Sequence, residues 1–370
     1  MKRFLFFAII LLSVSCHEKH TDPEKSLTVP EENTPYSSFI DGRTGVIQLE
    51  DGPECLIGSA DKCVVSDELI YVKDDQRQAI HIFSLDTGKW INTIDRVGRG
   101  PQEYIDLADM AVRDSLVYVL SCMGTKVLAY KADGTCVMDC NTDGDSFFRL
   151  CFLNEDIWLY SEQSNKLGYD YAQLLTDSGR IGKKIYPFKK FNGSIFDDSY
   201  GFIGSESDGI FVSRNYDGVL YKMYENGLQA LFRLVFKDYP VVNIDDLSNM
   251  TAMKIKDKYS KTPLFLFYSC ATKIDERIYL VAKMTDGFGI RTQLLSVDEE
   301  NNVMAHERGF DPEIGYEELN VGRIVAMKNG HLYVLSNPKI ISKMQNKGTI
   351  NIPLVVNPEG NPVVSIYRLK

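Results

Sequence analysis

The chain has 370 residues, with 41 Lys and Arg against 51 Asp and Glu, a formal charge of −10 and 44 % hydrophobic residues. That composition excludes wholesale disorder and leaves room for a sizeable core. The acidic balance argues against a broad nucleic-acid footprint, which needs clustered Lys and Arg, so no nucleic-acid partner is expected.

Lys2 and Arg3 precede an unbroken apolar run, Phe4 to Leu12, followed by Ser13-Val14-Ser15-Cys16. Nine apolar residues are too few to cross about 30 Å of hydrocarbon, which takes about 20. They fit the apolar region of a secretory signal. The segment resembles a bacterial lipoprotein signal, although Ser13 stands where that pattern usually has an aliphatic residue. The resemblance implies removal of residues 1–15, a lipid on Cys16, and anchoring in the cell envelope, at the outer membrane. Residues 16–42 are polar, contain Pro23, Pro30 and Pro35, and read as a flexible tether. Residues 43–370 read as one folded domain.

Within that domain, short β-rich runs separated by Asp, Asn and Gly turns dominate. One element recurs, a turn followed by an apolar-aromatic strand, at 69–72, 116–119, 157–160, 210–213, 278–281 and 332–335. Its aromatic positions, Tyr71, Tyr118, Trp158, Phe211, Tyr279 and Tyr333, lie 40 to 68 residues apart. Such spacing is the signature of β-propeller blades, each a four-stranded sheet. Stretches such as Phe83-Ser84-Leu85-Asp86-Thr87-Gly88 and Tyr130-Lys131-Ala132-Asp133-Gly134 supply the turn before an outer strand. The expected fold is all-β, a six-bladed β-propeller. Residues 244–259 lack strand alternation and read as a short helical insertion between blades 4 and 5. Val46 to Leu49 is placed to pair beside Ser365 to Leu369 and close the ring, which would otherwise expose strand edges.

Two segments carry a resemblance: Val97-Gly98-Arg99-Gly100-Pro101-Gln102-Glu103-Tyr104, and the ending Asn361-Pro362-Val363-Val364-Ser365-Ile366-Tyr367. Both look like the six-bladed β-propeller lipoproteins of Bacteroidetes-type bacteria, of TolB-like or NHL-like type. Gln102 stands where that family often has Gly. The resemblance covers residues 43–370 and speaks to architecture more than activity. Gly98, Gly100, Pro101, Glu103 and Tyr104 read as a turn carrying the chain from one blade to the next. As a phosphate loop the segment fails, since no Gly-Lys-Ser/Thr and no helix pattern follows.

A search for catalytic chemistry finds little. There is no G-x-S-x-G, and His81, His306 and His331 fall in or beside middle and outer strands, away from the axis. Seven cysteines follow Cys16 without a CxxC, so they read as buried free thiols, with Cys136 and Cys140 the one local pair able to bridge. Glu54, Asp106 and Asp109 are the acids nearest predicted inner strands, and they cover the ring poorly as a calcium or magnesium cage. No catalytic residue, metal or cofactor is therefore assigned. Arg149, Tyr200, Tyr268 and Arg323, at the starts of four inner strands, are the expected contacts at the mouth of the ring, since Arg and aromatics suit sugars and carboxylates. The expected function is non-enzymatic binding or scaffolding of a glycan, peptide or partner protein. The alternative is a Ca²⁺- or Mg²⁺-dependent lactonase- or lyase-type propeller.

Overall fold

A computed structural model describes residues 23, 25–123, 125–142, 144–161, 170–185, 201–206, 209–242, 250–259, 261–308 and 316–370. In chain order the elements begin with β1 (Ser26–Thr28), α1 (Tyr36–Phe39) and β2 (Ile40–Gln48). Blade 1 is β3 (Ala60–Val65), β4 (Leu69–Asp74), β5 (Ala79–Ser84) and β6 (Trp90–Ile94). Blade 2 is β7 (Asp109–Arg113), β8 (Leu116–Ser121), β9 (Lys126–Lys131) and β10 (Cys136–Asn141). Blade 3 is β11 (Arg149–Leu153), β12 (Asp156–Tyr160), β13 (Tyr171–Leu175) and β14 (Arg180–Ile185). Blade 4 is β15 (Phe202–Glu206), β16 (Gly209–Ser213), β17 (Val219–Tyr224) and β18 (Gly227–Val235). After α2 (Ala252–Tyr259), blade 5 is β19 (Leu264–Ile274), β20 (Arg277–Thr285), β21 (Ile290–Val297) and β22 (Val303–Glu307). After α3 (Glu317–Val321) come β23 (Arg323–Lys328), β24 (His331–Ser336), α4 (Pro338–Asn346) and β25 (Val363–Leu369). The six sheets form a six-bladed β-propeller.

The recurring aromatic run is the second strand of every blade, and its period-two alternation shows why six of them make a ring. Ile70 and Val72 of β4 pack toward blade 6, while Tyr71 between them packs toward blade 2. Likewise Ile157 and Leu159 of β12 face blade 2 and Trp158 faces blade 4. Both faces are buried, so the strand reads as a nearly continuous apolar run. The six junctions between neighbouring blades each hold one of the main apolar clusters. The turns into these strands take the left-handed backbone that Asn, Asp and Gly tolerate best: Asp114 and Ser115 have φ 49° and 61°, and Asn329 and Gly330 have 50° and 72°. Asp114-Ser115 is thus a hairpin turn.

Ring closure joins the two ends of the domain. β2 is the outermost strand of blade 6, antiparallel to β25, with Val46 opposite Ser365 and Ile47 opposite Val364. The domain begins earlier than the sequence suggests, because part of the expected tether is built into it. β1 adds a fifth, parallel strand to blade 4 through Arg233–Val235. The Thr34 amide then bonds the Ala305 carbonyl of blade 5 at 2.8 Å, and Tyr36 stacks on His306 at 3.7 Å. Tyr36 and Phe39 are fully buried. The apolar residues Leu27, Val29, Tyr36 and Phe39 are the physical reason this stretch packs.

The helix expected over 244–259 is present as α2 between blades 4 and 5, with residues 243–249 outside the described set. Its Tyr259 packs with Tyr216, Val242 and Leu266 over the end of those blades. α4 within blade 6 was not expected, although its start is written in the sequence: Pro338 opens it, and the Asn337 Oδ1 accepts the Lys339 amide at 2.9 Å. The seven described cysteines are all free. Cys136 and Cys140 share strand β10, four residues apart, which rules out a bridge between them.

Candidate functional site

The six inner strands surround a cavity of about 900 Å³ that is lined from every blade. The first residues of those strands define one end of it. Here the polar groups stitch neighbouring blades together. The Lys62 ammonium of blade 1 meets Asp109 Oδ1 of blade 2 at 2.7 Å, and Asp109 Oδ2 accepts the Leu150 amide of blade 3 at 2.9 Å. Arg323 of blade 6 donates to the Ala60 carbonyl of blade 1. On blade 1, Lys73 holds Asp61 at 2.6 Å. Burial pushes the Asp61 carboxyl up, but the hydrogen bond and charge of Lys73 and the charges of Arg149 and Arg323 outweigh it, so it titrates below its ordinary value.

Taken whole, the lining is cationic. Lys62, Arg113, Arg149, Lys273, Lys283, Arg323 and Lys328 contribute seven positive charges against three from Asp61, Asp109 and Asp275. The chain as a whole carries −10, so the axis has the opposite sign to the molecule. Cys63, Cys151 and Cys270 also line it, from blades 1, 3 and 5. Burial raises all three thiols, Cys63 to about 12 and Cys270 to about 11, which keeps them protonated and weakly nucleophilic.

Arg149 and Arg323 stand where the sequence places them, at inner-strand starts and in the channel lining. Tyr268 does not. It is fully buried between blades 4 and 5, with its hydroxyl donating to the Gly218 carbonyl at 2.8 Å and its ring 4.9 Å from that of Phe265. β19 bulges between Phe265 and Phe267 and again between Tyr268 and Cys270. Those extra residues change the alternation and leave Ser269 and Cys270 lining the channel. Tyr200 and Cys16 lie outside the described residues. Sequence reasoning missed Lys62 and Lys283. A lysine at the third position of an inner strand was the available signal for Lys62, whereas Lys283 belongs to a second strand and gave none.

The acids weighed for a metal cage go separate ways. Asp109 is committed to Lys62 and the Leu150 amide, and Asp106 Oδ1 accepts from the Ser121 hydroxyl at 2.9 Å and the Met123 amide at 2.8 Å. Glu54 is exposed and outside the channel lining. Among the described residues no three His, Cys, Asp or Glu side chains converge to hold a metal ion. Of the described histidines, His81 and His306 are buried within blades and His331 opens β24; none of these three lines the channel.

The two quoted motifs are architectural. Gly98 and Gly100 curl around the Glu103 carboxylate, which accepts the Gly100 amide at 2.7 Å; a Cβ on Gly98 would collide with it. Tyr104 is fully buried and donates to the Gln78 carbonyl at 2.8 Å. Pro101 precedes Gln102, whose φ of 61° explains why glycine suits that position. At the other motif, Asn361 Nδ2 donates to the Glu50 and Cys55 carbonyls at 2.6 and 2.8 Å, and its Oδ1 accepts the Ile57 amide at 2.8 Å. The Pro362 carbonyl accepts the Leu49 amide at 3.1 Å. Together they latch blade 6 to the segment that leads into blade 1.

Among the described residues no helix is long and apolar enough to cross a membrane. No curated protein matches the chain. Two solved structures share the fold. One is a protein of Bacteroides fragilis NCTC 9343 classed as exported, with 15 % identity over 93 % of this chain and 99 % of that one and a TM-score of 0.71. The other is a member of the DUF4221 family from Bacteroides vulgatus ATCC 8482, with 9 % identity over 89 % and 97 % and a TM-score of 0.55. A family model described as a domain of unknown function, DUF4934, matches residues 28–368, and the chain belongs to that family.

Proposed function

We propose that this chain is an exported, lipid-anchored propeller that binds its ligand in the axial channel without transforming it. The ligand would be a glycan, a peptide or a segment of a partner protein. The observation that carries this reading is the cavity of about 900 Å³ reached by the inner strands of all six blades. Its size is that of a small-molecule site. Its walls are preorganised, because the same groups that line it tie blades 6, 1, 2 and 3 to one another. A rigid, prearranged cradle limits the ordering cost of binding.

The anchor reading rests on the apolar run before Cys16. From Lys25, whose carbonyl accepts the Arg233 amide at 2.9 Å, the chain is already joined to blade 4, so few residues separate the domain from Cys16. The domain would then stay close to the membrane. Labelling of cells with a radioactive fatty acid tests this: label is expected on the natural chain and lost in Cys16→Ala. Equal labelling of both removes the anchor.

For the binding reading, the folded chain is screened on glycan and peptide arrays, and the footprint of a hit is mapped by hydrogen exchange. Protection is expected at 61–65, 109–113, 149–152 and 323–328. Protection confined to outer strands, or conversion of the hit to product, overturns the reading.

A further inference from the structure

We propose that the end of the channel where the inner strands begin is a receptor for a small organic molecule carrying two or more oxyanion groups, such as carboxylates. This rests on the channel being the binding site. Four lining cations lie toward that end: Arg149 and Arg323 open their strands, Lys62 is the third residue of β3, and Lys283 stands opposite Phe267 of β19 with its ammonium donating to Thr292 Oγ1 at 3.0 Å; the acids there are Asp61 and Asp109. Both acids already meet lysines, Asp61 with Lys73 and Asp109 with Lys62. Arg149 belongs to blade 3 and Arg323 to blade 6, three blades apart in a ring of six. They therefore approach from opposite sides, and a molecule that engages both must lie across the axis. Two separated oxyanion groups can each meet one of the two guanidinium groups.

Guanidinium groups match carboxylates and phosphates with paired hydrogen bonds, which a neutral ligand does not repay. The apolar neighbours Met110, Cys63 and Phe202 give the cavity low-dielectric walls, which focus the field of the cations. The same reasoning sets the size of the ligand. Outside the channel the molecule is acidic, with −10 overall, so a long polyanion is repelled by most of the surface it would cover. An anion small enough to enter the axis meets a lining of net positive charge.

The test is calorimetric titration of the folded chain at low salt with citrate, inorganic pyrophosphate and neutral maltotriose. One or both anions are expected to bind, maltotriose much less, and the affinity to fall about tenfold or more in Arg149→Gln/Arg323→Gln. Arg149→Lys/Arg323→Lys, which keeps the charge, should retain more of it, and matching thermal melts show that the variants fold. Preference for citrate identifies carboxylates as the groups recognised, and preference for pyrophosphate identifies phosphates. Failure of both anions to bind, or binding unchanged in the Gln pair, overturns the proposal. Maltotriose binding that the Gln pair abolishes overturns the anion assignment while leaving the channel as the site.

Discussion

Asn361 commits its whole side-chain amide to one junction: two N–H groups to the Glu50 and Cys55 carbonyls and its oxygen to the Ile57 amide, with 1 % of its surface exposed. Truncation removes all three hydrogen bonds, the one to the Cys55 carbonyl buried, so Asn361→Ala should cost about 2–4 kcal/mol in chemical denaturation; a loss under about 0.5 kcal/mol would contradict the latch. Opposite signs are expected within the first motif. Gly98→Ala pushes the Glu103 carboxylate aside and should cost about 0.5–1.5 kcal/mol, the contribution of the hydrogen bond to the Gly100 amide, while Gln102→Gly relieves a left-handed backbone and should stabilise by up to about 1 kcal/mol. Acid sensitivity centres on His81, which burial holds below its ordinary value, although Asp74 stands 3.5 Å from its Nε2 and pulls the other way. Its Nδ1 contacts Thr93 Oγ1 at 3.0 Å. A depressed histidine adds stability above pH of about 6.5 and gives it up as pH falls toward the folded value. Asp74, lowered by four backbone amides against the push of burial, gives up its share only below its ordinary range, near 3.8. The melting temperature should therefore decline between pH 7 and 5, and less steeply in His81→Gln; identical slopes would remove His81 as the cause.

The closure strand and the strap before it make different demands on stability. β2 completes blade 6, and its Arg43 pairs with the fully buried Glu318 of α3, whose other oxygen accepts from the Tyr367 hydroxyl at 2.8 Å. Removing residues 1–48 strips β25 of its partner and leaves Glu318 buried without its cation, a change of the kind that costs about 3–5 kcal/mol on its own. Removing residues 1–33 takes away only β1 and its approach. Thermal melts should show loss of a cooperative transition for the longer deletion and a modest fall for the shorter; equal melts would contradict closure by β2. The second strands were legible in the sequence because both of their faces are buried and their Asp and Asn turns are explicit. The strap was not, because Pro30 and Pro35 and a polar composition mask Val29, Tyr36 and Phe39, whose partners lie far away in the sequence. Within the site, Arg149 and Arg323 were legible as guanidinium groups at the starts of inner strands. Tyr268 was misplaced because a bulge in β19 cannot be read from composition. Lys283 escaped notice because it reaches the channel from a second strand.

At the scale of the whole molecule, six double-sided sheets packed through six apolar junctions leave their inner edges around one axis, and the charge there is opposite to that of the chain. Fold alone does not select an activity, and what distinguishes this propeller is the lining of its channel. Because that lining is held by hydrogen bonds between blades, binding should leave the backbone nearly unmoved, and a chelator should leave the thermal melt unchanged. A melt lowered by chelator would favour the metal-dependent alternative. The most direct measurement is a crystal structure of the folded chain soaked with whichever of citrate or pyrophosphate binds more tightly. Density for the anion is expected inside the axial channel, within hydrogen-bond reach of Arg149 and Arg323. Density only on the outer strands, or a channel sealed by side chains, would contradict binding at that site.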